Sequence, residues 1–217
     1  MQDLFEAIKH RRSIRKYQNK PVPQSLIEKI LVAASWAPSA HNAQPWRFII
    51  LTESESKQVV AEAMAESWAA DMEKDNVKID EKVYKVRIER FASAPVIILA
   101  CATMEGMYMQ PDPERQKVER DLAMQSLGAA MQNLLLMAHA KGLGACWFCA
   151  PSFCKATVRE ALKIPDEFEP QAIVAIGYPD EKPIAPNRKV FGEYCFKNIW
   201  GKVFYVQNTQ TTFKMCK

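Results

Sequence analysis

No glycine-rich dinucleotide fingerprint and no phosphate loop following a strand occurs in the 217 residues, so any nucleotide must be held by other means. Long hydrophobic runs are missing too. "APVIILACA" is too short for a bilayer and "LGAAMQNLLLMAHA" is broken by Gln and Asn, which excludes a transmembrane helix and a membrane partner. The opening "MQDLFEAIKHRR" has neither the continuous apolar core nor the small-residue cleavage site of a signal peptide, and a cytoplasmic location is expected. An excess of one charge sign is likewise absent: 29 Lys and Arg face 25 Asp and Glu, interspersed along the chain. A net charge of +4 without a basic tail argues against nucleic acid as a partner. Without repeats, low-complexity segments or linkers, residues 1–217 are expected to form one domain. With 48% apolar residues, it can bury a core without disulfides or metals.

What is present alternates loosely between helix and strand. Leu4, Phe5 and Ile8 recur at helical spacing before "HRRSIRKY". "LIEKILVAASWA" resumes the helical period, with Pro23 near its start and a Ser25…Glu28 capping-box pattern. "RFIILT" reads as a strand, residues 54–90 as helix broken near 75–80, and "APVIILACAT" as a buried strand. "MQPDPERQ" reads as a loop, and "VERDLAMQSLGAAMQNLLLMAHAKG" as a long helix ending at Gly142. That helix is apolar or small on nearly every face, so it is central or at a subunit interface. "LGACWF" is a third strand, "SFCKATVREALK" a short helix and "QAIVAIGYP" a fourth strand. The polar tail from Arg188 has one possible strand, "KVFYV". The pattern implies a layered α+β or α/β domain.

Two segments carry chemistry. If "HRRSIRKY" continues extended, Arg11, Ser13 and Arg15 share one face, setting two guanidinium forks around a hydroxyl, an arrangement suited to a phosphate and a polar ring edge. A solvated helix end whose cations complement the dipole is the plainer reading. In "APSAHNAQPWRF", the small residues let something flat approach the backbone, and Asn42 and Gln44 can donate and accept at once, as recognition of a heterocycle edge requires. A helix-to-strand connection anchored by Trp46 is the alternative.

In order and spacing, "RRSIRKY", "APSAHNAQPWRFII", the long helix ending "AHAKGLG", the strand after it, "AIVAIGYP" and Arg188 resemble the nitroreductase family of FMN-dependent oxidoreductases. Within it, the second half looks most like the flavin domain fused to the γ-glutamyl ligase of deazaflavin-cofactor biosynthesis. The resemblance implies an α+β fold with a mostly antiparallel central sheet flanked by helices. It also implies a homodimer that exchanges a C-terminal arm, about residues 188–217, and holds FMN at its interface. By motif, Arg11 and Arg188 would hold the FMN phosphate, and Arg12 and Ser13 would lie along the phosphate and ribityl chain. Arg15 would face the N1/O2 edge and raise the flavin's potential. Pro38, Ser39, Ala40 and Asn42 would come from the other subunit, with Gln44 supporting that loop or touching the ring. Backbone at Cys149 and Ala150 would lie near N5, where hydride enters from NAD(P)H or a deazaflavin and leaves to a nitro compound or quinone by ping-pong. Reduction of an unsaturated deazaflavin precursor is the alternative within that resemblance, and no protein group need act as catalyst.

The six cysteines set the rival reading. In "GLGACWFCAPSFCK", a Cys-x-x-Cys on a strand points its side chains to opposite faces, poor geometry for a thiol pair or a metal. Cys146 and Cys149 are therefore expected as small fillers of a tight strand, Cys154 as packing in the next helix, and no metal is expected. A cysteine-based metal or thiol-redox protein is the alternative from another class. His41 either contacts substrate or caps its turn. Arg87 and Arg90 are candidates for a ring-side cation, with surface helix the plainer reading, and Lys189 either shares the phosphate or is solvated.

Overall fold

Val96–Ala102 is buried at every position, as its unbroken apolar run requires, and it lies inside the sheet as β2. In this computed structural model, which describes residues 3–204, four strands pair in the order β1-β2-β4-β3. The others are β1 (Trp46–Leu51), β3 (Gly144–Phe148) and β4 (Glu169–Gly177). Every pairing is antiparallel: Trp46 opposes Ala102, Ile98 opposes Val174, and Cys146 opposes Ala175. The fold is thus α+β, with β1 and β3 as opposite edges.

Among the described residues six helices cover the sheet: α1 (Leu4–His10), α2 (Gln24–Ser35), α3 (Ser54–Lys74), α4 (Glu81–Ala92), α5 (Pro113–Ala140) and α6 (Lys155–Leu162). Strand alternation divides the core. Ile98, Ala100, Val174 and Ile176 pack with α2 and α5 through Ile30, Met131 and Leu134. Ile97, Leu99, Ile173 and Ala175 pack on the other face with Val60, Met64, Phe91 and Val158 of α3, α4 and α6. No helix among the described residues is long and apolar enough to cross a membrane.

Several boundaries differ from expectation. The capping box at Ser25 and Glu28 does not form, because α2 starts at Gln24 after Pro23 and Ser25 is already helical. Gln24 instead donates to Glu28 Oε1 at 2.8 Å, side chain to side chain. The long helix begins at Pro113, inside the segment read as loop: proline is compatible with the first turn, and Asp112 caps it by accepting the Arg115 N–H at 2.9 Å. Cys154 is the residue before α6 rather than part of it. Gly142, at φ +75°, ends the α5 turn in the left-handed conformation expected of it.

By contact density the chain divides into Met1–Pro183, which holds the sheet and all six helices, and Ile184–Lys217. In the second unit a 3-10 turn (Phe191–Glu193) brings Phe191 against Tyr194 and Phe204, and Phe196 bridges Val203. Of the expected strand "KVFYV", Val203 makes that single bridge, while Tyr205 and Val206 lie outside the described residues. The remainder of the expected arm, to residue 217, lies outside them too.

Candidate active site

After α1 the chain turns extended and lies along the free edge of β3. Ser13 bridges Ala145 in parallel, and the Ile14 N–H donates to the Ala145 carbonyl at 3.0 Å. Ile14 is buried against Gly144, where an added Cβ would come within 2.7 Å of the Ile14 side chain. The next residues are clipped to the chain beyond β4. Glu181 accepts the backbone N–H groups of Arg15 and Lys16, and Gln18 N–H donates to the Tyr178 carbonyl at 2.9 Å. Tyr17 places its hydroxyl 2.6 Å from the Ile14 carbonyl and 3.0 Å from that of Ala175, and burial raises its pKa.

The alternation expected of an extended stretch is present. Ile14 points inward, while Ser13 is half-buried and Arg15 exposed; burial raises the Cys146 thiol, against the lowering influence of Arg15, Ser13, Arg11 and Arg90. The half-buried Arg11 also lines a cleft of about 420 Å³ with Arg12, Lys182 and His139. There the Nε2 of His139 is buried without a hydrogen-bond partner, and burial together with Arg11, His10 and Arg12 lowers its pKa. Arg12 is otherwise engaged: it turns back to donate to the carbonyls of Lys9 at 2.7 Å and Arg11 at 2.8 Å, capping α1. The Arg15 side chain is exposed and has no carboxylate partner among the described residues. Arg188 is exposed within the second unit.

The loop before β1 is built differently. Ser39 is extended and Ala40–Asn42 form a 3-10 turn, in which His41 and Asn42 adopt φ of +55° and +52°; Gln44 follows at +49°. Three non-glycine residues in the left-handed region within four positions mark a strained connection, held by its surroundings. Ser39 Oγ accepts the Gln44 N–H at 3.0 Å, and the Ala40 N–H donates to Ser126 Oγ on α5 at 3.1 Å. His41 stacks on Tyr108 at 3.8 Å and sets Nε2 3.2 Å from Oε2 of the buried Glu119. Pro38, Asn42 and Gln44 are exposed.

Glu119 also accepts from Gln110 Nε2 at 3.0 Å, and that bond, more than His41, holds its carboxyl below the usual 4.5 against the opposing effect of burial. A depressed folded pKa means that Glu119 contributes stability above the ordinary carboxylate range and loses it as the pH falls through the folded value. We expect Glu119→Gln to be less stable than wild type near neutrality and to lose less of its melting temperature between about pH 5 and pH 3. Equal acid losses in the two proteins would show that Glu119 carries no such linkage.

The two halves do not meet within one chain. The loop precedes β1 and the basic ribbon borders β3, so three strand spacings, roughly 14 Å, separate the edges they adjoin. The turn after β3 is nearer the ribbon: Cys149 is exposed just beyond the strand, and Ala150 opens a 3-10 turn (Ala150–Phe153). The filler reading holds for Cys146, which is buried, but not for Cys149, because the strand stops at Phe148. Burial raises the thiols of Cys146 and Cys154 and pushes that of Cys101 up to about 12, the opposite of what a thiolate nucleophile needs. Among the described residues no group of three or more His, Cys, Asp or Glu could hold a metal.

Sequence reading missed the partners of His41. Glu119 lies 78 residues away and looks like any helix-surface glutamate, and only the helical phase of α5 hinted that it faces inward. Arg87 is not the bare surface cation of the plainer reading: its guanidinium lies 4.2 Å from the centre of the Trp68 ring.

The profile described as the Nitroreductase family matches residues 8–178, which contain the ribbon, the loop and all four strands. A Methanothermobacter thermautotrophicus protein, provisionally named an NADH dehydrogenase/NAD(P)H nitroreductase, is 35% identical over 183 residues, covering 83% of this chain and 80% of its own. Among solved structures, a provisionally assigned nitroreductase from Desulfovibrio desulfuricans in complex with FMN is 30% identical, with a TM-score of 0.65 over 88% of this chain and 94% of its own. A BluB-like flavoprotein from Clostridium difficile 630 is 25% identical, with a TM-score of 0.76 over 91% and 99%. On the family match and these likenesses, the chain belongs to the nitroreductase family.

Proposed function

We propose that this chain is an FMN-dependent oxidoreductase that takes electrons from NAD(P)H and passes them to a small conjugated acceptor, a nitro compound or a quinone. Family membership makes it an oxidoreductase, and the relatives' names supply the nicotinamide and flavin classes. The observation that carries the reading is the basic ribbon at the edge of β3, where Ser13 bridges Ala145, Arg11 lines a cleft with His139, and the exposed Arg15 side chain meets no carboxylate among the described residues. Deazaflavin chemistry rests on resemblance alone, and no contact here favours it.

The residues fit FMN. Arg11, with the unpartnered His139 Nε2 near it, offers donors to a phosphate, and Arg188 is the second candidate. Ser13 would lie along the ribityl chain. Arg12, capping α1, holds the helix end that presents Arg11. Arg15 would face the polar N1/O2 edge, its backbone fixed by Glu181. Cys149 and Ala150 would border N5. FMN, when bound, supplies hydride acceptance and donation at N5; the chain supplies position, charge and exclusion of water, and none of its residues needs to take up the hydride.

The separated halves favour a homodimer in which the loop of Pro38, Ser39, Ala40, Asn42 and Gln44 covers the partner's cofactor. Three apolar residues of α1 stand open in the single chain: Leu4 is 67% exposed, Phe5 61% and Ile8 49%. Burying them against a second copy explains a stripe that otherwise faces water. We expect the Phe5→Glu, Ile8→Glu double variant to elute as a monomer by size-exclusion chromatography and to lose FMN. A monomeric double variant that keeps full FMN would place the site within one chain.

Stopped-flow kinetics test the chemistry. NADPH or NADH should bleach the flavin absorbance in the absence of acceptor, and a nitroaromatic should restore it, with parallel double-reciprocal lines in steady state. Intersecting lines would contradict the ping-pong scheme.

A further inference from the structure

On the α3, α4 and α6 side of the sheet, a cavity of about 300 Å³ opens beside Ala150, the residue proposed to border the flavin N5. Its walls are apolar and aromatic: Met64 and Met72 with Trp68 from α3, and the 85% exposed Phe153 from the turn after β3. One cation enters it. Arg87 of α4 lays its guanidinium over Trp68 and makes no ion pair or hydrogen bond to any described residue. Asp71, the one carboxylate of the wall, is bonded to Lys74 at 2.9 Å.

A guanidinium half-withdrawn from water, with no ion pair among the described residues, is an unusual occupant of an apolar wall. Burial works against its charge, and so does the neighbouring Arg90, yet arginine stays protonated. The stacking on Trp68 orients the fork while leaving its N–H edges available for a planar anion. The volume suits one substituted ring.

Resting on the flavin reading above, we propose that the acceptor site selects an arene carboxylate, its ring between Trp68 and Phe153 and its carboxylate on Arg87, with the reducible substituent toward Ala150. For a nitroarene acid the step balances as a two-electron reduction. NAD(P)H gives the hydride through the flavin, solvent gives a proton, and the nitro group leaves one oxygen as water to become nitroso.

The probes are 4-nitrobenzoate and the neutral, nearly isosteric 4-nitrobenzamide. The holoenzyme is expected to favour the acid in kcat/KM by about tenfold or more, since a site built for a charged group rejects a partner lacking it. In Arg87→Met, which keeps an apolar stem, that ratio should collapse toward one, and Arg87→Lys should retain part of it. Direct binding gives a readout independent of turnover: benzoate should quench Trp68 fluorescence and release heat in titration calorimetry with wild type, and do neither with Arg87→Met. Equal kcat/KM for acid and amide, in an enzyme that holds FMN and reduces both, overturns the proposal and leaves the flavin reading intact. Benzoate binding by a protein that holds no FMN would sustain the anion pocket and overturn the flavin reading. A ratio above ten that survives in Arg87→Met overturns the assignment of Arg87.

Discussion

Arg15→Ala is expected to hold FMN about 10- to 100-fold more weakly than wild type, the loss of one charge-assisted contact of roughly 1.5–3 kcal/mol. The variant should fold, because the contacts that place this residue run from its backbone N–H to Glu181 and survive truncation of the side chain. The flavin that remains should have a lower midpoint potential. A fixed positive charge at the N1/O2 edge favours the more negative, reduced cofactor, so its removal favours the oxidised one, by about 30 mV for each 1.4 kcal/mol of lost preference in a two-electron couple. Arg15→Lys should restore part of the potential but less of the affinity, since the ammonium keeps the charge without the planar fork. Fluorescence titration with FMN and xanthine oxidase potentiometry measure the two effects. An unchanged potential in Arg15→Ala would remove Arg15 from the ring edge, whatever happened to affinity.

Gly144→Ala should be the most damaging single methyl group near the site. Its Cβ would meet three carbons of Ile14 at 2.7–2.8 Å, and Ile14 is β-branched, buried and bonded through its N–H to Ala145. Neither side can yield without lifting the Arg11–Tyr17 ribbon off β3. Overpacking of this kind costs about 1–3 kcal/mol, roughly 2–12 °C in melting temperature for a chain of this size. FMN binding should weaken as well, since Ser13 and Arg15 ride on the displaced ribbon. Gly128→Ala is the control: it is helical, a Cβ there meets nothing within 4 Å, and the substitution should be neutral or stabilising. A Gly144→Ala protein that melts with wild type and binds FMN as well would show that the ribbon tolerates movement and does not place the site.

Features that repeat along the chain are legible in the sequence. "APVIILACA" announced a fully buried strand because both faces of β2 are covered, whereas "LGAAMQNLLLMAHA" buries one face of α5 through Ala130, Met131, Leu134 and Ala138 and leaves Gln132 exposed, so its all-round apolar character is only partly used within the chain. The ribbon was legible because period two follows from an extended backbone, which puts Ser13 and Arg15 opposite Ile14. What escaped depended on pairing in space. Nothing local to Arg12 said that its guanidinium would turn back to cap α1, while its neighbour Arg11 lines a cleft. His41 could not be resolved because its partners, Tyr108 and Glu119, arrive from the segment after β2 and from α5. The Ser25…Glu28 signature failed because a proline two residues earlier offered a competing helix start, and motif spacing carries no information about which start wins. The separation of the two site halves became visible only with the strand order, which puts β1 and β3 at opposite edges.

Every step from the basic ribbon to the acceptor cavity assumes that the chain holds FMN. The absorbance spectrum of freshly purified protein, with the chromophore released by heat and identified by chromatography, tests this directly. Flavin bands with about one FMN per chain are the expected result. A colourless protein that also fails to take up added FMN would contradict the assignment of Arg11, Ser13 and Arg15, and would return the cysteines around β3 to consideration as the functional group.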